Sequence, residues 1–326
     1  MESIIKNSQK HMIVENHEII NKDKSSFIEA NTEKVLLKHL KEDCIIPVFA
    51  RDNETTISHY DFINEAWMTV KAQFSNMRVN EPQIRVSHVV KGRIPTAIGK
   101  PVTELLEHEK TIYYERCAFV MEIPEILQNV NGNNLSLSIG GVRAYNEENL
   151  YGKKSPEKFK LFIGFKNLVC TNLCISTDGF MDKIKVSSIL ELKNSLQKLI
   201  VSYDKENHLE KLKEMTRYKI SENQFAHLIG KLKMFNNEAN EVKSELFNHH
   251  LNDRQINCII RDYHTCENFG KSTDGMISLW ELYNLLTEAN KSSYVESNFI
   301  RNVNCYELVN HLVNGLKTGS KGYYLI

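Results

Sequence analysis

Apolar positions change their spacing twice along the chain, and each change marks a change of element type. In the first part they recur at helical intervals. Val35, Leu36, Leu37 and Leu40 predict a short helix over residues 32–43, capped by Asn31 or Thr32. Phe62, Ile63, Ala66, Trp67, Val70 and Phe74 predict a second over residues 58–74, with Ser58 as its N-cap. From Pro82 to about Val186 the chain turns rich in β-branched and aromatic residues. Ile84, Val86, His88 and Val90 alternate with Arg85, Ser87 and Val89, and residues 111–123 are long enough for a full strand. Asn131-Gly132-Asn133 is a hairpin signal, because Asn and Gly tolerate positive φ; it joins that strand to another over residues 135–145. Gly140-Gly141 inside that strand predicts a bulge or sharp bend. Residues 159–166 and 169–176 read as two further strands, followed by a turn at 177–179.

After Ser187 the helical period returns. Ile189, Leu192, Leu196, Leu199 and Ile200 form one stripe, and Leu209, Leu212 and Met215 another. Ser221 and Gln224 stand at capping-box spacing ahead of Phe225, Leu228, Ile229 and Leu232. Further helices are expected over residues 253–264, 277–289 and 306–316. The fold class this predicts is α+β: a polar, mostly disordered tail over 1–30, an antiparallel sheet region over 31–187, and a helical region over 188–326 packed on the same core.

Composition narrows the function. The 326 residues carry 41 basic and 41 acidic side chains, which excludes a uniformly basic nucleic-acid coat or an acidic solvating tail. No apolar run approaches the length of a membrane span, and the first 26 residues lack the apolar block of a secretory signal. Seven dispersed cysteines do not form a disulfide framework, so a cytoplasmic protein with reduced thiols is expected. The 33 asparagines against ten alanines are a coding bias to which no mechanism is assigned.

Candidate chemistry is sparse. Cys170 and Cys174 on one strand would stand roughly 13 Å apart, too far to share an ion whose sulfur ligands sit about 2.3 Å away. His249, His250, Cys258, His264 and Cys266 lack ligand spacing, and no phosphate loop or nucleophile elbow occurs. No metal and no cofactor is therefore expected. Glu115, Glu122, Asp178 and Asp182 offer parts for a Mg²⁺-dependent nuclease, in a spacing that matches no motif. Cations are more suggestive. Arg85, Lys91, Arg93 and Lys100, with His88, lie in a stretch without acids. Arg143, Lys153, Lys154 and Lys158 interleave with Tyr145 and other aromatics. Cations that meet phosphates and rings that stack on bases suit single-stranded nucleic acid. The competing reading is a solvated loop whose rings belong to the core.

Several stretches together carry a family resemblance: Ile84-Arg85-Val86-Ser87-His88-Val89-Val90-Lys91-Gly92-Arg93-Ile94-Pro95, Gly140-Gly141-Val142-Arg143-Ala144-Tyr145-Asn146, Phe162-Ile163-Gly164-Phe165, Val169-Cys170-Thr171-Asn172-Leu173-Cys174, and Leu279-Trp280-Glu281-Leu282-Tyr283-Asn284-Leu285. Over about residues 45 to 326 the chain resembles a bacterial domain-of-unknown-function family (family 3871) carried on mobile elements, and more distantly a class of phage- and plasmid-like proteins. The resemblance implies an accessory protein of mobile DNA and transfers no catalytic residue. The function expected is non-enzymatic binding of single-stranded DNA or RNA through the ten side chains just named. The alternatives are a metal-dependent nuclease and a module that binds a host protein.

Overall fold

A computed structural model describes residues 26–45, 56–148, 156–320 and 322–326. Among them, seven antiparallel strands form one sheet: β1 (Glu33–Val35), β2 (Gln83–Arg93), β3 (Lys110–Val130), β4 (Asn133–Ala144), β5 (Glu157–Asn167), β6 (Leu173–Cys174) and β7 (Phe180–Val186). The order is β1-β2-β3-β4-β5-β6, with β7 also paired to β5. The β3–β4 hairpin turns on Asn131 and Gly132, at φ 50° and 79°, the pair of left-handed residues a two-residue turn needs. At Gly140 any side chain is forbidden, since a Cβ there would sit 2.1 Å from the Phe119 carbonyl oxygen.

Alternation along the strands sends side chains to two buried faces. On one, Phe119, Ile139, Phe159 and Ile163 meet Phe62 of α2 (His59–Gln73) and Leu192 and Leu196 of α3 (Ile189–Ser202). On the other, Ala118, Val120, Val142 and Phe162 meet Val295, Phe299 and Val303 of the last helix together with Phe27 and Ile28. The Phe162 and Phe299 rings stand 4.5 Å apart. The remaining helices are α1 (Leu37–Glu42), α4 (Lys205–Met215), α5 (Glu222–Phe235), α6 (Asn240–Glu245), α7 (Asp253–Thr265), α8 (Leu279–Asn290) and α9 (Val295–Thr318). A short ladder of β8 (Lys219–Ile220) and β9 (Ile277–Ser278) ties α8 to the start of α5. The protein is thus α+β, with an antiparallel sheet in the middle and helices at the C-terminal end.

Capping fixes several boundaries. Ser58 accepts from the Asp61 amide while Asp61 accepts from the Ser58 amide, and Ser221 with Gln224 does the same for α5. Three expectations need correction. Residues 33–35 pair with Ile84–Val86 as a strand, and the helix begins only after Leu36, without a side-chain cap. The strand expected over 169–176 is broken by a turn in which Thr171 takes φ 61°, leaving only β6. In β2 the alternation stops at His88, which lies exposed at φ 60°. The tail expected over 1–30 falls outside the described residues up to residue 25. Phe27 and Ile28 beyond it are buried, and the amides of Glu29 and Ala30 donate to the Lys291 carbonyl. No helix among the described residues is long and apolar enough to cross a membrane.

Candidate functional site

Strand parity decides the fate of Arg143. It follows Leu135, Leu137 and Ile139 on the inward face of β4, so its guanidinium enters the core with no exposed surface. It cannot stay there uncompensated, because a lone buried charge costs several kcal/mol. Two carboxylates compensate it: Nε donates to Glu148 at 3.1 Å and one terminal nitrogen donates to both Glu148 and Glu157. Burial opposes the charge, but the Tyr145, Glu148 and Glu157 oxygens outweigh it and hold the pKa above its ordinary value. The flat cation also lies between two rings, 4.5 Å from Tyr145 and 4.7 Å from Phe159. On its far side Tyr145 meets the His59 ring at 4.7 Å. His59 is fully buried and donates through Nε2 to the Tyr114 carbonyl at 2.9 Å; burial, then the Arg143 charge, pushes its pKa down to about 3. Glu157 also accepts from the Ile57 amide, which anchors the entry to α2. Arg143 and Tyr145 are therefore corrected. They stack on each other inside the fold and present nothing to a nucleic acid.

The same neutralisation runs along the sheet. Lys158 donates to the Glu147 carbonyl at 2.5 Å, Lys160 reaches the Glu147 carboxylate at 2.9 Å, and Lys166 pairs with Glu122 at 2.6 Å. Arg85 donates to the Thr32 hydroxyl and carbonyl at 3.0 and 2.7 Å, so it fastens the β1 edge, and burial lowers its pKa. Lys153 and Lys154 lie outside the described residues. Arg85 and Lys158 are thus half-buried cations that each tie down a backbone carbonyl of the fold.

The other four candidates share one feature. β4 stops opposite Arg116, whereas β2 and β3 continue together from Ser87 to Arg93 and from Lys110 to Arg116. This two-stranded arm is flanked by Cys44 and Ile45 at Ile112 and ends in a loop of three short 3₁₀ turns. His88 and Lys91 are exposed on it. Arg93 donates to the Lys100 carbonyl, and Lys100 pairs with Glu109 at 2.5 Å. Glu109 in turn accepts from the Leu106 amide at 2.9 Å, and its carbonyl accepts from Ile94. These contacts hold the tip in shape. His88 is contacted at 2.6 Å by Arg116, which also pairs with Glu296 at 3.0 Å. The arm thus gathers His88, Lys91, Arg93 and Lys100, of which His88 and Lys91 are exposed and Arg93 and Lys100 half-buried.

The carboxylates weighed for a nuclease do not converge. Glu122 is engaged by Lys166, and Asp178 accepts from Ser176 and the Asp204 amide. Among the described residues no group of three or more His, Cys, Asp or Glu is placed to hold a metal. Burial pushes the Cys170 thiol up to about 12.

Sequence reasoning missed two things. One is the aliphatic tip of the arm, where Ile98, Val102 and Leu106 are 76, 71 and 55% exposed. The spacing of three aliphatics among Gly, Pro, Thr and Glu was the available signal. The other is the use of asparagine. Asn284, fully buried on α8, accepts from Asn167 at 3.0 Å, donates to the Trp280 carbonyl, and lends its own carbonyl to Asn172. Trp280 donates to Asn133 in the β3–β4 turn at 2.9 Å. The Leu-Trp-x-Leu-Tyr-Asn stretch is accordingly a set of ties between helix and sheet.

An α+β chain with an internal arginine stack and a projecting β-arm is the class defined by this geometry. The chain belongs to the family described as "Domain of unknown function, B. Theta Gene description (DUF3871)", which it matches over residues 7–325. No curated protein and no solved structure matches it.

Proposed function

We propose that this protein is a non-catalytic binding module that docks a protein partner through the tip of the β2–β3 arm. The observation that carries the reading is that Ile98, Val102 and Leu106 are each exposed on one loop, whose shape is held by Arg93, Lys100 and Glu109. A monomer gains nothing from rigidly presenting three aliphatic side chains to water, and such patches mark interaction sites. Charge favours a protein over a polyanion. Residues 87–116 hold Lys91, Arg93, Lys100, Lys110 and Arg116 against Glu104, Glu107, Glu109 and Glu115, and Arg116 pairs with Glu296, so the arm offers little net positive charge apart from its histidines. Phosphate recognition rests on released counterions and needs uncompensated cations. The mobile-DNA setting implied by the resemblance, and a cytoplasmic location, belong to the same proposal. There the accessory role is to engage another protein rather than the DNA.

The test is co-purification of the tagged full chain from its native cells, with and without nuclease, against the Ile98→Asp/Val102→Asp variant. The reading expects a stoichiometric protein that survives nuclease and disappears with the variant. Co-purifying material that vanishes with nuclease and survives the variant would return the function to nucleic acid.

A further inference from the structure

Away from the arm, α4 and α9 pack side by side and leave a shallow cleft of about 470 Å³, wide open to solvent, on their outer side. That volume lies within the range of small-molecule sites, about 300–1,000 Å³. Asn207 and Lys211 of α4 face Glu307, His311 and Asn314 of α9 across it, Thr177 of the β6–β7 turn closes one end, and Phe247 forms a wall. The fixed parts of this site are already satisfied. Thr177 donates to Glu307 at 3.1 Å, and Asn310 donates to the Tyr306 carbonyl at 2.9 Å. The rings of Phe247 and His311 stack at 5.7 Å. The side chains of Asn207, His311 and Asn314, by contrast, make no hydrogen bond to any described residue. Behind the Tyr306 wall, its ring 5.2 Å from that of Tyr306, lies His208, fully buried. Its Nδ1 meets the Tyr203 hydroxyl at 2.7 Å, and its Nε2 has no partner among the described residues.

We infer that this cleft binds a neutral, polyhydroxylated small molecule of sugar size. Its one cation, Lys211, is paired with Glu214 at 3.4 Å and its lining also holds the anion Glu307, so neither a phosphate nor a carboxylate ligand finds net attraction. Primary amides each present donors and an acceptor, the pattern that matches hydroxyl groups, which do both. The Phe247–His311 stack and the Tyr306 ring supply an apolar wall for the C–H face of such a ring. The inference is independent of the arm, since no residue is shared.

The probes are free glucose, galactose, mannose and N-acetylglucosamine, with adenosine as the comparison, offered to the full chain in saturation-transfer NMR. At least one sugar is expected to receive magnetisation from the protein. The His311→Ala/Asn314→Leu variant, whose positions are exposed, should lose the effect at least tenfold while its circular dichroism is unchanged. Asn207→Leu, on the opposite wall, should lose it as well. Absence of transfer to all four sugars, transfer unchanged in both variants, or transfer to adenosine alone would overturn the assignment.

Discussion

Replacing Arg143 with Met removes the charge while keeping most of the side-chain volume between Tyr145 and Phe159. The consequence is set by what is left behind. Glu148 and Glu157, only 5 and 17% exposed, would face each other in the core without their counter-charge. Breaking one partner out of a buried ion pair costs about 3–5 kcal/mol, because the remaining charge stays desolvated. A solvated arginine contributing to a nucleic-acid surface would change stability by no more than about 0.5 kcal/mol. Urea unfolding followed by circular dichroism separates the two, with the slope m expected to stay constant so that the midpoint reports stability. Adding Glu157→Gln to Arg143→Met should recover about 1–3 kcal/mol, since the amide needs no cation, and that non-additivity is the signature of a coupled pair. A loss below about 1 kcal/mol in Arg143→Met would refute the account of this core.

Four further outcomes follow. Burial lowers His59 and His208 to about 3 and His249 to about 4, so the unfolded chain binds protons that the native protein excludes. Stability should therefore fall as pH drops below about 6.5, by about 1.4 kcal/mol per pH unit for each histidine, and urea midpoints that are flat between about pH 7 and pH 5 would contradict this. Gly140→Ala should cost about 3 kcal/mol or prevent folding, because its Cβ meets the Phe119 carbonyl. Gly230→Ala on α5, where a Cβ meets nothing, should instead gain about 0.5–1 kcal/mol in the same assay. In the tip, Ile98→Asp/Val102→Asp should leave the unfolding midpoint within about 0.5 kcal/mol of wild type, which differential scanning calorimetry would check.

Local chemistry made much of the fold legible. The capping residues Ser58 and Ser221, the Asn131-Gly132 turn and the stripes of α3 and α4 all act over a few residues, and each was readable where it stood. What failed depended on distant partners. Val35 and Leu36 look helical, yet residues 33–35 extend because β2 lies alongside them, some fifty residues later in the chain, and Leu36 stays extended ahead of α1. The last helix was expected from Tyr306 but starts at Val295. Its first turns do carry an apolar stripe, Val295, Phe299 and Val303, but the buried Asn298, Asn302 and Asn304 are interleaved with it and obscure the period. Asn298 is fixed by the Asn290 carbonyl at 3.0 Å and Asn302 by Asn298 at 3.1 Å, which gives the asparagine excess a structural use in part. Part of the candidate site, Arg143 and Tyr145, was misread for a related reason. Counting cations cannot distinguish a solvated lysine from one held by a carboxylate across a strand. Parity could have done so for Arg143, which shares a face with Leu137 and Ile139.

The most direct test of the arm's role replaces Ile98 with a photo-cross-linking phenylalanine analogue in the full chain and irradiates living native cells. Val201, equally bare but on α3, carries the same analogue as control. A discrete protein adduct at position 98, resistant to nuclease and missing at position 201, is the predicted result. Adducts only to nucleic acid, or the same adducts from both positions, would contradict it.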